Sequence, residues 1–142
     1  MPAVASERLH RSVAEWFLRI ALAASFLSAV ADRFGLWGKP GSPGVAWGDW
    51  AHFRGYADLL NAWMPAALRA PAAIGATAAE IALGVGLLVP WRRPWIALAS
   101  GALLSAFAIA MTVAMSPKAP LDYSVWSAAG GSFVLASLLA RS

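Results

Sequence analysis

The sequence has no cysteine, only two histidines and few charged residues. Without cysteine there can be no disulfide, thiolate zinc site or iron–sulfur cluster. Two histidines are too few for a histidine-rich metal site, and neither lies inside an apolar run, as haem ligation within a membrane would require. We therefore predict no metal site. The sequence also lacks a phosphate-binding loop, a nucleophile elbow and a metalloprotease motif, so whether the chain is an enzyme stays open.

Charged residues make up 13% of the 142 residues and hydrophobic residues 60%. A soluble domain carries about 25% charged residues. A soluble fold of this size has too little interior to hide so much apolar surface. The net charge of +4 comes from basic residues that flank apolar runs, which is typical of membrane proteins and argues against nucleic-acid binding.

Four apolar runs cover about residues 13–31, 70–90, 95–115 and 121–140. As helices they would each reach about 30 Å, enough to cross the hydrocarbon core. Helices are favoured because backbone polar groups in lipid must be satisfied within the segment. Strands of a barrel would show alternating polarity over about ten residues, and these runs do not. We predict an all-α integral membrane four-helix bundle, forming a single transmembrane domain over residues 1–142.

The long connection between the first two runs is expected to contain an amphipathic helix over about residues 49–63. Asp49 is a plausible N-cap, and Pro65 ends the segment. This helix would lie at the membrane surface or cover the bundle. Its expected apolar face comprises Trp50, Phe53, Ala57, Leu60 and Met64.

The first run has an alternative interpretation as a signal peptide, with cleavage after Ala29-Val30-Ala31. Glu15 and Arg19 argue against it, because they lie where a signal peptide is apolar. The number of basic residues does not decide the orientation in the membrane, because five lie on the side of the two termini and five on the opposite side. Arg141 is counted on the side of the termini. Basic residues in the shorter segments favour both termini in the cytoplasm.

Charged residues inside the runs suggest a polar interior. Glu80 lies ten residues from either end of the second run, and Arg19 is about 9 Å inside the first. Glu15 precedes Arg19 by one helical turn. We predict a buried Glu15–Arg19–Glu80 cluster, which is either a static ion pair that fixes helix register or a site for a polar ligand or a proton.

A second cluster is expected on the outer side, where the first run ends and the fourth begins. Either it binds a polar head group or relays protons, or it is an interfacial cluster in which Asp122 caps its helix. Its members are Asp32, Arg33, His52, Asp122 and Tyr123. On the fourth run, Trp126 and Phe133 share a face that either lines a pocket for a quinone-like ring or packs against other helices.

Several segments resemble the DoxX family of small four-helix membrane proteins in their order and spacing. They are Leu18-Arg19-Ile20-Ala21-Leu22-Ala23, residues 26–35, Trp47-Gly48-Asp49, Glu80 with Leu83-Gly84, and Leu121-Asp122-Tyr123-Ser124. The resemblance covers nearly the whole chain. It implies a four-helix bundle in a bacterial inner membrane. Some relatives are associated with quinone-linked oxidation of sulfur compounds or with complexes that handle oxidative stress.

Three functions follow as expectations. In the first, the chain binds a quinone or similar lipophile as a subunit of a membrane redox complex, with Arg19, Glu80, Glu15 and Trp126 as candidate ligand-binding residues. In the second, it is a non-enzymatic scaffold or assembly protein, and its charged cluster is structural. In the third, it transports a small solute, which four helices would accomplish only as a homo-oligomer.

Overall fold

The computed structural model describes residues 2–140, with side chains from residue 5 onward. Arg141, which entered the orientation count, lies outside the described residues. The described part is all helical, as predicted. Its helices are α1 (Pro2–Arg33), α2 (Trp50–Leu60), α3 (Ala66–Leu88), α4 (Pro94–Ala114), α5 (Ala119–Asp122) and α6 (Val125–Ala140).

Within residues 2–140, three helices are long and apolar enough to cross a membrane, and they correspond to the first three predicted runs. The first helix is much longer than expected, since it has 32 residues and begins at Pro2 instead of near residue 13. An apolar-run criterion misses this extension, because polar residues such as Glu7 and Arg8 continue a helix without adding to its hydropathy. Proline at the first position of α4, Pro94, suits a helix start because its missing N–H would be unpaired there anyway.

The fourth predicted run, 121–140, is not one continuous helix. Residues up to Asp122 belong to the four-residue α5, and α6 begins only at Val125. Between them Ser124 has a φ of 54°, a left-handed conformation that ends a helix. The described length of α6 is therefore 16 residues, shorter than the other three long helices.

The long helices pack as two antiparallel pairs, α1 with α3 and α4 with α6. Glycines allow the close approach in each pair. A Cβ atom on Gly84 would lie 3.0 Å from Leu27, and one on Gly101 would lie 2.6 Å from Phe133. The shared core joins residues of α1, α3, α4 and α6: Leu22, Ala23, Phe26, Leu87, Ile96, Ala97, Leu135, Ala136 and Leu139.

The two ends of the bundle differ. At the turn end, residues 89–93 connect α3 to α4. At the cap end, residues 34–60 form a cap of loop and α2. The contact between Gly84 and Leu27 sets the register of α1 against α3, and α1 ends beside Thr77. This residue is 11 positions after the start of α3, or about 16 Å by the helical rise. The cap therefore covers the part of α3 that α1 does not reach.

The cap helix α2 occurs where the sequence predicts it, although it ends at Leu60 instead of residue 63. Asp49 is its N-cap, with the side chain accepting a hydrogen bond from the His52 N–H at 2.8 Å. Of the expected apolar face, Phe53, Ala57 and Leu60 are buried, and the first two pack on Ala73 of α3. The amphipathic pattern thus identified both the helix and the side that faces the bundle.

Candidate functional site

Arg19 is buried at the turn end, where it caps the carboxyl end of α3. Its guanidinium donates to the carbonyl oxygens of Leu87, Val89 and Trp91 at 3.0, 3.2 and 2.6 Å. Its Nε donates to the Glu15 carboxylate at 3.1 Å. The Leu87 carbonyl lies in the last turn of α3, where carbonyls have no partner within the helix and carry partial negative charge, so a cation there is favourable. Arg19 therefore joins α1 to α3 and fixes the turn.

The predicted Glu15–Arg19–Glu80 cluster is wrong in its third member. Glu15 and Arg19 are paired, but Glu80 forms its ion pair with Arg33. The predicted cluster requires the first and second runs to begin and end at the same levels in the membrane. In the structure α1 is shifted along α3, so that Arg19 lies beside the last turn of α3 and Arg33 lies beside its middle.

The Arg33–Glu80 pair is the most deeply enclosed charged group of the cap end, with each side chain 4% exposed. Arg33 also donates to the Thr77 hydroxyl at 2.6 Å. Its guanidinium lies 3.9 Å from the ring centroid of Phe53 and 5.4 Å from that of Trp47. The cation is thus held between a carboxylate on one helix and two aromatic rings of the cap, which favours it electrostatically on both sides.

Asp32 fastens the cap loop to the end of α1. Its carboxylate accepts hydrogen bonds from the backbone N–H groups of Ala46, Trp47 and Gly48 at 2.8 to 3.0 Å. Charge-assisted bonds of this kind are stronger than neutral ones. Two consecutive residues therefore hold two different parts of the molecule: Asp32 holds the loop and Arg33 holds α3.

The predicted outer cluster does not assemble as a whole. The side chain of His52 is 61% exposed and contacts Asp49, the N-cap residue of the same helix, α2. Asp122 pairs with Lys118 one turn earlier, at 2.6 Å, on the surface. Tyr123 is exposed. Burial raises the pKa of Tyr56 on α2, and the charge of Tyr123 adds to this effect. Only Asp32 and Arg33 take part in the buried network.

Sequence reasoning missed Thr77, Trp47 and Phe53 as partners of Arg33. The signal for Phe53 was available, because the amphipathic pattern placed this residue on the inner face of α2. The position of Trp47 depends on the path of the glycine-rich loop, which no periodicity reveals. Thr77 needs the register of α1 against α3.

The family model of the methylamine utilisation protein MauE matches the chain over residues 11–122. The chain belongs to the MauE family. The matched residues include Arg19, Arg33 and Glu80, and they end before α6. No curated protein and no solved structure matches the chain. The result supports the expected small multi-pass membrane family but not DoxX specifically. With its three membrane-length helices, this MauE-family chain is a multi-pass membrane protein.

The chain also has an apolar groove between the end of α2 and the outer face of α4. It has a volume of about 420 Å³, within the range of small-molecule sites. It is lined by Leu60, Trp63, Ala106, Ile109, Ala110 and Val113. Trp126, the predicted aromatic ligand contact, does not line this groove. It lies near the start of α6 and is 41% exposed. The groove is open and lacks charged side chains, so it suits an apolar chain or ring.

Proposed function

We propose that this MauE-family chain is a membrane-embedded accessory protein of methylamine utilisation, which assists the assembly or maturation of a redox system without catalysing a reaction itself. Family membership supports the metabolic context. The accessory role rests on one observation: the buried charges are engaged in holding this chain together. Arg19 fixes the turn, Asp32 fixes the cap loop, and Arg33 joins α1 to Glu80 of α3.

This use of charge is typical of a structural role. A buried ion pair contributes little net stability but specifies register, and an apolar pair of similar size can replace it. A catalytic or proton-transferring carboxylate could not be replaced in this way, since its protonation would be part of the reaction.

The test is complementation in a methylamine-utilising host that requires this chain. We expect the double variant Arg33→Met/Glu80→Met to restore growth on methylamine and the activity of the methylamine-oxidising enzyme, provided that it accumulates in the membrane. A double variant that is folded and abundant but inactive would refute the structural assignment of this pair. Growth on another carbon and nitrogen source is the control for general toxicity.

A second candidate is binding of a quinone or similar lipophile by a subunit of a membrane redox complex. The apolar groove between α2 and α4 favours it. If it is correct, detergent-purified protein retains a quinone, and Ala106→Trp, which fills the groove, removes it. Ala82→Trp, an exposed position on α3, is the matched control. Mass spectrometry that finds no quinone in the unchanged protein would exclude this candidate.

We further propose a bacterial inner membrane location with both termini in the cytoplasm. Because the chain lacks cysteine, single cysteines report the orientation directly. Ser6→Cys on α1 should be shielded from an impermeant maleimide in intact cells, whereas His52→Cys on the cap should react. The opposite labelling pattern would show that both termini lie outside the cytoplasm and would contradict this orientation.

A further inference from the structure

The charges of the two bundle ends are unequal. The cap end has five basic residues, Arg33, Lys39, Arg54, Arg69 and Lys118, and five acidic residues, Asp32, Asp49, Asp58, Glu80 and Asp122. The turn end has five arginines, Arg8, Arg11, Arg19, Arg92 and Arg93, but only two acidic residues, Glu7 and Glu15. The excess positive charge of the described residues is therefore all at the turn end.

Ion pairing accentuates this difference. At the cap end, Arg33, Arg54 and Lys118 each pair with a carboxylate. At the turn end, Arg19 pairs with Glu15, whereas Arg92 and Arg93 are exposed and form no ion pair with any side chain that the structure describes. These two adjacent arginines therefore form a concentrated, exposed positive charge at the turn end.

The turn is held in a shape that presents them. Arg19 binds the carbonyls of Val89 and Trp91. These two backbone groups therefore point into the bundle, while the side chains of Arg92 and Arg93 stay exposed. Exposed indole rings flank the arginines in sequence: Trp91 is 51% exposed and Trp95 is 54% exposed. Tryptophan favours the depth of lipid head groups.

We propose that the turn end binds the head groups of anionic phospholipids through Arg92 and Arg93, with Trp91 and Trp95 setting the depth. The partner is a lipid because the arginines adjoin two membrane-length helices and tryptophans of interfacial type. Guanidinium groups form paired hydrogen bonds with phosphate. This inference concerns a surface that the proposed accessory function does not use.

The experiment uses the full chain in detergent, titrated with phosphatidylglycerol or with phosphatidylcholine of the same acyl chains, and native mass spectrometry to count bound lipid. We expect preferential retention of phosphatidylglycerol, weakened by salt. Arg92→Gln/Arg93→Gln should lose roughly tenfold or more of that preference, since each arginine near an anionic surface contributes about fivefold. The double variant Lys39→Gln/Lys118→Gln, with the same change in net charge at the cap end, should retain it.

Several outcomes would overturn the proposal. Equal retention of both lipids, or an equal loss in the control variant, would mean that the turn end is not a lipid site. Displacement of the lipid by millimolar inorganic phosphate would indicate a site for a free anion. Lipid binding is measured without methylamine growth, so the failure of this proposal is distinguishable from the failure of the proposed function.

Discussion

Replacing Glu80 with methionine removes the carboxylate that pairs with Arg33 at a place where both side chains are 4% exposed. Breaking a buried pair on one side costs about 3 to 5 kcal/mol, because the remaining charge stays buried. In Glu80→Met that charge is a guanidinium, which cannot lose its proton. The ring of Phe53 and the hydroxyl of Thr77 still contact the guanidinium in this variant, so we expect a loss at the lower end of that range, about 3 kcal/mol.

The opposite variant, Arg33→Met, should cost less, because a carboxyl group left without its partner can be neutralised by a proton, whereas a guanidinium keeps its charge. The double variant Arg33→Met/Glu80→Met should lie within about 1 kcal/mol of the unchanged protein, since an apolar pair of similar volume replaces the ions. The coupling energy of this double-mutant cycle is then several kcal/mol.

The assay is reversible unfolding in bicelles by added dodecyl sulfate, followed by tryptophan fluorescence. The matched control is the surface pair Lys118–Asp122, whose side chains are 77% and 52% exposed. Its methionine cycle should give a coupling energy below about 1 kcal/mol. If the buried and surface cycles give the same coupling energy, the Arg33–Glu80 pair does not hold α1 to α3 and the reasoning fails.

Three further predictions concern other parts of the chain. Arg19→Met should lower the unfolding free energy by about 2 to 4 kcal/mol, because it leaves Glu15 and the carbonyls at the end of α3 without the guanidinium donor. Arg19→Lys should recover part of this loss in the same assay. Gly48→Ala should loosen the contact of the cap with the bundle, because Gly48 has a φ of 74° and an added Cβ would lie 2.4 Å from the Pro40 nitrogen. Faster amide exchange in α2, with unchanged exchange in α4, would show this loosening. The hydrogen bonds from the His52 N–H and ring lower the pKa of Asp49, so its capping of α2 is present at neutral pH and is lost as the pH falls below about 4. Protection factors of the α2 amides, corrected for the intrinsic pH dependence of exchange, that stay the same between pH 6 and pH 3 would contradict this.

The helices were predictable from the sequence, but the way they meet was not. Apolar runs located α3 and α4 closely, and the amphipathic pattern located α2 with its buried Phe53. The partner of Glu80 was predicted wrongly because the limits of an apolar run do not fix the level of a helix within the bundle. That level depends on the contact of Gly84 with Leu27, which is a property of two surfaces together. The division of the fourth run at Ser124 likewise depends on a single backbone conformation that hydropathy does not report.

The pairing of Arg33 with Glu80 has a consequence for how the protein is made. Arg33 is synthesised with the first helix, but its carboxylate partner follows 47 residues later, in α3. Until α3 enters the membrane, the guanidinium is stable only near water or lipid head groups, because an unpaired arginine in hydrocarbon is costly. The Arg33–Glu80 pair can therefore form only after α3 has been inserted beside α1, so the cap end of the bundle is completed later in synthesis than the first helix itself.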